Sequence, residues 1–377
     1  MTYSFEFISN RLKGIIEPAT LHIHRFEGPL GVRVFSKSYV APYVGWTKSI
    51  GCIIDEEGRE VKDSECFEWK ENSAYYDLGT CAFVHKKVIF LGFLLTGFGH
   101  SYTDDLRKLW FLKTDECRSL VANGYELVYT TSWNLPIPTE VLDIFELAGV
   151  NLNCARHIKQ LTHFDEIVVP DNSIKATDYG RVYCREYAEM INGIKMAVPD
   201  STKSVSKLYL SRTKFSFGSK KERGEEEIES VFRSLGYEIV FPEEHSVVEQ
   251  IQMVRSCDHF AATEGSVSHL SLFCKPETDV TIINKANYLN FHQVMVNEFA
   301  DLRVTYIEAH HSSMADKKYP WCGPFFLCIN RHFERFVQRP VLHFPYWMRF
   351  SYWEYSRSFI FRCYNRVRKI IRKRKTL

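Results

Sequence analysis

From Lys207 to Ile283 short apolar runs alternate strictly with amphipathic stretches, and that rhythm belongs to parallel sheets with helices on their faces. Leu208, Tyr209 and Leu210 form a buried-strand run. After Gly224, the positions Ile228, Val231, Phe232 and Leu235 make one apolar helical face. Glu225, Glu226 and Glu227 crowd that helix's first turn, where its dipole favours carboxylates. Tyr237 to Phe241 is the next strand, and Ser246 with Glu249 forms a capping box for a further helix. Phe260-Ala261-Ala262 and residues 279–283 supply two more strands.

This rhythm locates chemistry as well as architecture, because open α/β sheets bind ligands outside the carboxyl ends of their strands. Ser211, Arg212, Glu243, Glu264, Gly265 and Ser266 all fall at such ends. A glycine followed by a hydroxyl residue at a helix start suits an anion, since free backbone N–H groups point outward there.

A second alternation precedes the first. It predicts a strand over 88–95, a helix over 101–113, a strand over 126–131, a helix over 138–148 and a strand over 166–169. The expected organisation is a strand-rich segment of unread role over 1–80, an α/β domain over 81–172 and a linker with a helix over 173–204. A second α/β domain follows over 205–310, then an aromatic and basic tail over 311–377.

Charge and cysteine content exclude several classes. The net charge of +2 hides an uneven distribution: from Arg349 onward ten basic residues oppose only Glu354, which leaves −7 on residues 1–348. The body is therefore not a nucleic-acid binder by charge, and no nucleic-acid partner is expected. Eleven scattered cysteines without a C-x-x-C pair argue against a disulfide framework or a zinc site, and for a reducing, cytoplasmic setting. The first residues carry no signal-peptide core, and the run Val88 to Phe98 is too short to span a bilayer. Residues 346–375 interleave Trp347, Phe350, Trp353, Ile360 and Ile370 with the basic residues. That is the composition of an amphipathic helix on an anionic membrane surface, or of a helix packed on the first domain.

The ordered set Y-L-S-R, an acidic helix, G-Y-E-I-V-F-P-E-E, E-Q-I, and E-G-S followed by L-F resembles glycosyltransferase family 61, in particular bacterial enzymes of capsule and surface-polysaccharide synthesis. Residues 99–110 resemble the family's H-x-x-x-D segment, and residues 143–170 the segment before the second domain. The likeness runs over residues 85–310. It departs at Glu264, where many members carry histidine in an H-G-A triplet. The resemblance implies a GT-B fold, two Rossmann-like α/β domains facing a cleft. It also implies inverting transfer from a nucleotide-diphosphate sugar, with UDP favoured, to a glycan or lipid-linked glycan acceptor. The enzyme would sit peripherally on the inner face of the membrane. A silent carbohydrate-binding or assembly subunit is the competing class.

Such a transfer needs a base for the acceptor hydroxyl and positive charge or N–H donors for the leaving diphosphate. His100 and Asp104 are spaced i, i+4, on one helical face. They read as a carboxylate base steered by an imidazole, or as ordinary helix-start polar residues. The family pattern favours Asp104 over its neighbour Asp105. Arg212 suits bidentate phosphate binding, or an ion pair with residues 225–227. Lys214 is a weaker donor-site candidate, Glu243 and Glu264 are candidates for ribose or sugar hydroxyls, and His269 reads as structural. No D-x-D occurs, so neither a metal nor any other cofactor is expected.

Overall fold

The computed structural model describes residues 1–45, 49–64, 76–201, 205–215, 222–310 and 325–338. The tail read as a membrane anchor lies outside the described residues. The chain starts with strand β1 (Thr2–Phe7) and helix α1 (Asn10–Thr20), followed by β2 (Val32–Gly45), β3 (Ser49–Ile54) and β4 (Ala82–Leu94). Then come α2 (Phe98–Thr103), α3 (Asp115–Ala122), β5 (Glu126–Thr131), α4 (Thr139–Leu147), β6 (Arg156–His157) and β7 (Thr162–Pro170). A hairpin, β8 (Ile174–Thr177) and β9 (Gly180–Tyr183), leads into α5 (Arg185–Ala197). The second half comprises β10 (Lys207–Leu210), β11 (Glu222–Arg223), α6 (Glu225–Ser234), β12 (Glu238–Val240), α7 (Val247–Ser256) and β13 (His259–Thr263). It continues through β14 (Asp279–Asn284), α8 (Phe291–Phe299), β15 (Arg303–Glu308), β16 (Phe325–Phe326) and α9 (Arg331–Val337).

The fold is mixed α/β with two six-stranded sheets. The first has the order β3-β2-β7-β4-β5-β6. It is parallel from β7 through β6 and antiparallel across β3, β2 and β7. The second has the order β1-β15-β14-β13-β10-β12 and is parallel throughout. One apolar core joins the two halves, including Leu94, Tyr102 and Ile144 from one side and Leu208, Val254, Phe273 and Val294 from the other.

The first 80 residues do not form one segment. β1 adds a parallel edge strand to the second sheet, while β2 and β3 extend the first. Between them α1, capped by Ser9 and interrupted by no strand signal, buries Leu12, Ile16 and Ala19 along one face. The expected second domain also gains α9, whose Phe333 packs with Phe232 of α6 and Tyr209 of β10.

The helix expected over 101–113 stops at Thr103, because Asp104 leaves helical geometry at φ −137°. Tight 3₁₀ turns follow at residues 105–107 and 109–113. Polar groups drawn inward drive the break. Asp105 turns back to accept from the backbone N–H groups of Leu95 (2.7 Å) and Thr96 (3.1 Å). Arg107 reaches the carbonyl of Phe93, and Lys108 reaches that of Pro170 at 2.5 Å. Both cations are buried, and burial pushes Lys108 down to about 7.

Candidate active site

The carboxyl ends of the two sheets meet where α2, following β4, touches the turn following β13. Gly99 makes that approach possible: a Cβ there would lie 2.7 Å from Cβ and Oγ of Ser266. The Tyr102 hydroxyl donates to the carbonyl of Ser266 at 3.1 Å across the same junction.

Directly beside this contact is a buried charged cluster centred on Asp104. His100 Nδ1 donates to Oδ2 of Asp104 at 2.6 Å, and Thr103 Oγ1 to the same oxygen at 3.2 Å. His292 Nε2, from the first turn of α8, lies 2.8 Å from that oxygen. Arg181 Nε, from the β8–β9 hairpin, donates to Oδ1 at 3.2 Å. Burial alone would raise the Asp104 pKa. The positive charges of His292 and Arg181, with the hydrogen bond from His100, override it and hold the carboxyl well below the usual range. Both ring nitrogens of His292 face oxygens, since its Nδ1 lies 3.1 Å from Asn290 Oδ1. His269 stands behind, its ring 5.6 Å from that of His292, and burial ahead of the neighbouring imidazoles holds it well below an ordinary histidine.

The i, i+4 spacing thus brings His100 and Asp104 together. Asp104 is fully buried with both oxygens engaged, so it cannot reach an acceptor hydroxyl. His100 keeps 35% of its side chain exposed and is the member that meets solvent. Asp105, also sealed, accepts the two backbone N–H groups of the 95–96 loop and is pushed up to about 7 by burial.

His100, Asp104 and His292 place their ligand atoms within 4.8 Å of one another, near enough to share a metal ion. Both imidazoles are directed at one carboxylate oxygen, however, and a buried guanidinium holds the other. A dication would have to displace those contacts beside the Arg181 charge.

On the second sheet, Arg212, Gly265 and Lys285 converge. Arg212 Nε lies 2.7 Å from Oε2 of Glu222, and Lys285 pairs with Oε1 of the same carboxylate. Burial opposes ionisation of Glu222, but the charges of Lys285 and Arg212 win and lower its pKa. The ion pair weighed for Arg212 therefore exists, with Glu222 rather than residues 225–227. Nearby Glu225 is pushed up to about 8 by burial and by Glu222.

The other expected donor-site residues separate. Ser211 is buried and donates to Glu229 at 2.5 Å, so it closes an internal network rather than facing a ligand. Lys214 is exposed and pairs with Glu244 at 2.9 Å. Glu243 is exposed on the turn after β12. Glu264 is buried, accepting from Asn284 Nδ2 (3.1 Å) and the backbone N–H of Asn290 (2.9 Å). It ties two turns together, and burial pushes it up to about 7. Gly265 adopts φ +137°, but its N–H is taken by Ser268 Oγ at 3.1 Å. The segment after Ser266 is a buried six-residue 3₁₀ turn, not a helix presenting free N–H groups.

Sequence reasoning missed Arg181, His292 and Glu222. Each is a single polar residue with no motif around it. The one signal was Asn290, two positions before His292, a helix cap that points the first turn of α8 at the cluster.

Residues 98–281 match the family model for glycosyltransferase 61. That span begins with α2 and closes within β14, so it takes in His100, Asp104, Arg181, Arg212 and Gly265. The chain carries a glycosyltransferase 61 domain. No curated protein matches the chain. As a glycosyltransferase it binds a sugar donor and an acceptor, and the His100 cluster and the Arg212–Lys285 pair flank the junction between its two sheets. No helix among the described residues is long and apolar enough to cross a membrane.

Proposed function

We propose that this glycosyltransferase transfers a sugar from a nucleotide diphosphate, UDP by preference, to a growing surface glycan, with inversion and without a metal. The two halves act as the facing domains of a GT-B enzyme. The observation that carries the reading is the His100–Asp104 pair at the junction of the sheets. Asp104 keeps the Nδ1 proton of His100 engaged at 2.6 Å, which leaves Nε2 as the basic nitrogen of the exposed ring. His100 takes the acceptor hydroxyl proton as that oxygen attacks the anomeric carbon. The bond to the diphosphate breaks, and the nucleoside diphosphate leaves with the electron pair. Arg212 and Lys285 supply the positive charge for the leaving group, exchanging part of their pairing with Glu222 for phosphate oxygens. The basic tail holds the enzyme at an anionic membrane surface, near a lipid-linked acceptor.

The test is release of UDP from UDP-sugars. Wild-type protein should leak free UDP slowly to water and faster with acceptor. His100→Ala should cut the acceptor-dependent rate by about a hundredfold or more, with UDP still raising the melting temperature. Full activity in folded His100→Ala would remove the base assignment. Loss of turnover in EDTA, restored by manganese, would refute the metal-free reading. Equal sedimentation of full-length protein with neutral and anionic liposomes would refute the tail's role.

A further inference from the structure

Away from the charged cluster, the turn that leaves β5 displays an indole in an uncommon way. Trp133 is 58% exposed. It has φ +57°, and Asn134 after it has φ +51°. Two consecutive non-glycine residues in the left-handed region are strained, and such strain persists only where the surroundings over-determine it. Here they do. Ser132 Oγ donates to the carbonyl of Leu95 at 2.8 Å, Thr131 Oγ1 to that of Leu135 at 2.6 Å, and Asn134 Nδ2 to that of Tyr43 at 2.8 Å. The Tyr43 ring lies 5.1 Å from the indole and braces it. Hydrophobic collapse would bury a tryptophan. This turn is pinned at three points so that it stays out.

The position gives the display a purpose. The Leu95–Thr96 loop that receives the Ser132 hydrogen bond runs straight into α2 and His100. Asp105, the neighbour of Asp104, anchors that loop through the N–H groups of Leu95 and Thr96. Thr96 itself sits at φ +59°. The indole is thus rigidly coupled to the base, on the same carboxyl edge of the first sheet. A flat, exposed, pre-ordered aromatic face is what the C–H face of a pyranose ring requires: it removes apolar area from water while the sugar hydroxyls stay solvated, with little side-chain entropy left to lose.

We infer that Trp133 is the stacking platform of an acceptor subsite, on which a sugar ring of the acceptor glycan lies while the hydroxyl to be extended reaches His100. This rests on the glycosyltransferase reading above, and its test is arranged so that the two can fail separately. Binding is read without chemistry, by saturation-transfer NMR with methyl glycosides of glucose, galactose and N-acetylglucosamine and their β-linked disaccharides. Wild type should saturate the C–H protons of one ring face. Trp133→Phe should keep the effect in weaker form, and Trp133→Ala should lose it. UDP should protect all three proteins equally against heat. With an acceptor in hand, Trp133→Ala should raise its KM about tenfold or more, the scale of uncovering one indole face. Failure of wild type to saturate any panel sugar, or equal saturation in folded Trp133→Ala, would overturn the inference. Transfer activity with an unchanged acceptor KM in Trp133→Ala would sink the subsite and leave the enzyme. Trp133-dependent sugar binding without UDP release would sink the enzyme and leave the subsite.

Discussion

The carboxylate of Asp104 meets two imidazoles, a hydroxyl and a guanidinium, so Asp104→Asn does more than remove a charge. It turns an amide toward at least one donor and leaves Arg181 buried with its counter-ion gone. Breaking such a pair costs about 3–5 kcal/mol. The expected outcome is a lower melting temperature together with a loss of turnover, since His100 would lose the partner that fixes its tautomer. The sign of the pH effect follows from the depressed folded pKa. The stability that Asp104 contributes is present above the unfolded carboxylate range, near pH 4, and is lost as pH falls through its lower folded value. Acid unfolding should therefore show a steep limb below about pH 4 in wild type and a shallower one in Asp104→Asn, measured by circular dichroism. Glu264 has the opposite sign. Its folded pKa is raised to about 7, so the folded state prefers it protonated. Stability should decline between the unfolded value near 4.5 and about pH 7, by up to about 3 kcal/mol. Glu264→Gln should flatten that decline in melting curves taken from pH 5 to 7.5; an unaltered slope would show that other groups carry it. Of these residues, the His100–Asp104 pairing was legible because helical spacing is local. Arg181 and His292 were not: they reach Asp104 from 77 and 188 positions away in sequence, and nothing in their own neighbourhoods marks them.

At the scale of elements, α2 and the 264–268 turn are positioned by their lack of side-chain bulk. Gly99→Ala would set a methyl group 2.7 Å from Ser266 Cβ and 2.8 Å from its Cα. One of the two elements must shift, and with α2 goes His100. The expected result is a folded protein, destabilised by about 1–3 kcal/mol as for other overpacked sites, whose turnover falls more than its donor affinity does. Gly99→Ala, Ser266→Gly should recover part of it by removing Cβ and Oγ. If the single variant turns over normally, the junction is not needed for catalysis. Sequence pattern served well where an element is set by its own period and caps. The box of Ser246 and Glu249 starts α7 where expected, and the apolar face of α6 buries Ile228, Val231 and Phe232. It failed over residues 104–113, where the apolar spacing reads as helix. There the outcome is decided by where Asp105, Arg107 and Lys108 find backbone partners, all of them outside the helix.

For the molecule as a whole, the least legible feature is the first strand. The pattern T-Y-S-F-E-F alternates polar and apolar residues as a strand does, but nothing local tells which sheet it joins, because register and partner are set by contacts about 300 residues apart. The chain lays β1 beside β15, pairing Thr2 with Arg303 and Tyr3 with Val304. Tyr3 and Phe5 stack with Tyr306 at centroid separations of 6.3 and 6.0 Å. Glu308 accepts from the backbone N–H of Ser9 at 2.8 Å, fixing the start of α1. The chain thus begins in the second sheet, crosses through α1 to build the first, and returns through α5. That double crossing, with the shared core, couples the two halves. Deleting residues 1–8 would strip the β15 edge of its ladder partners and uncover Tyr306, while Ser9 stays in place to cap α1. An open, apolar parallel edge recruits other chains. The truncated protein should melt lower by about 5 °C or more and form concentration-dependent oligomers in sedimentation velocity. Because β15 neighbours β14, whose end carries Lys285, UDP should protect the truncated protein less than wild type at the same concentration. A monomer with unchanged melting would mean that β1 is an ornament on a sheet already complete from β15 to β12.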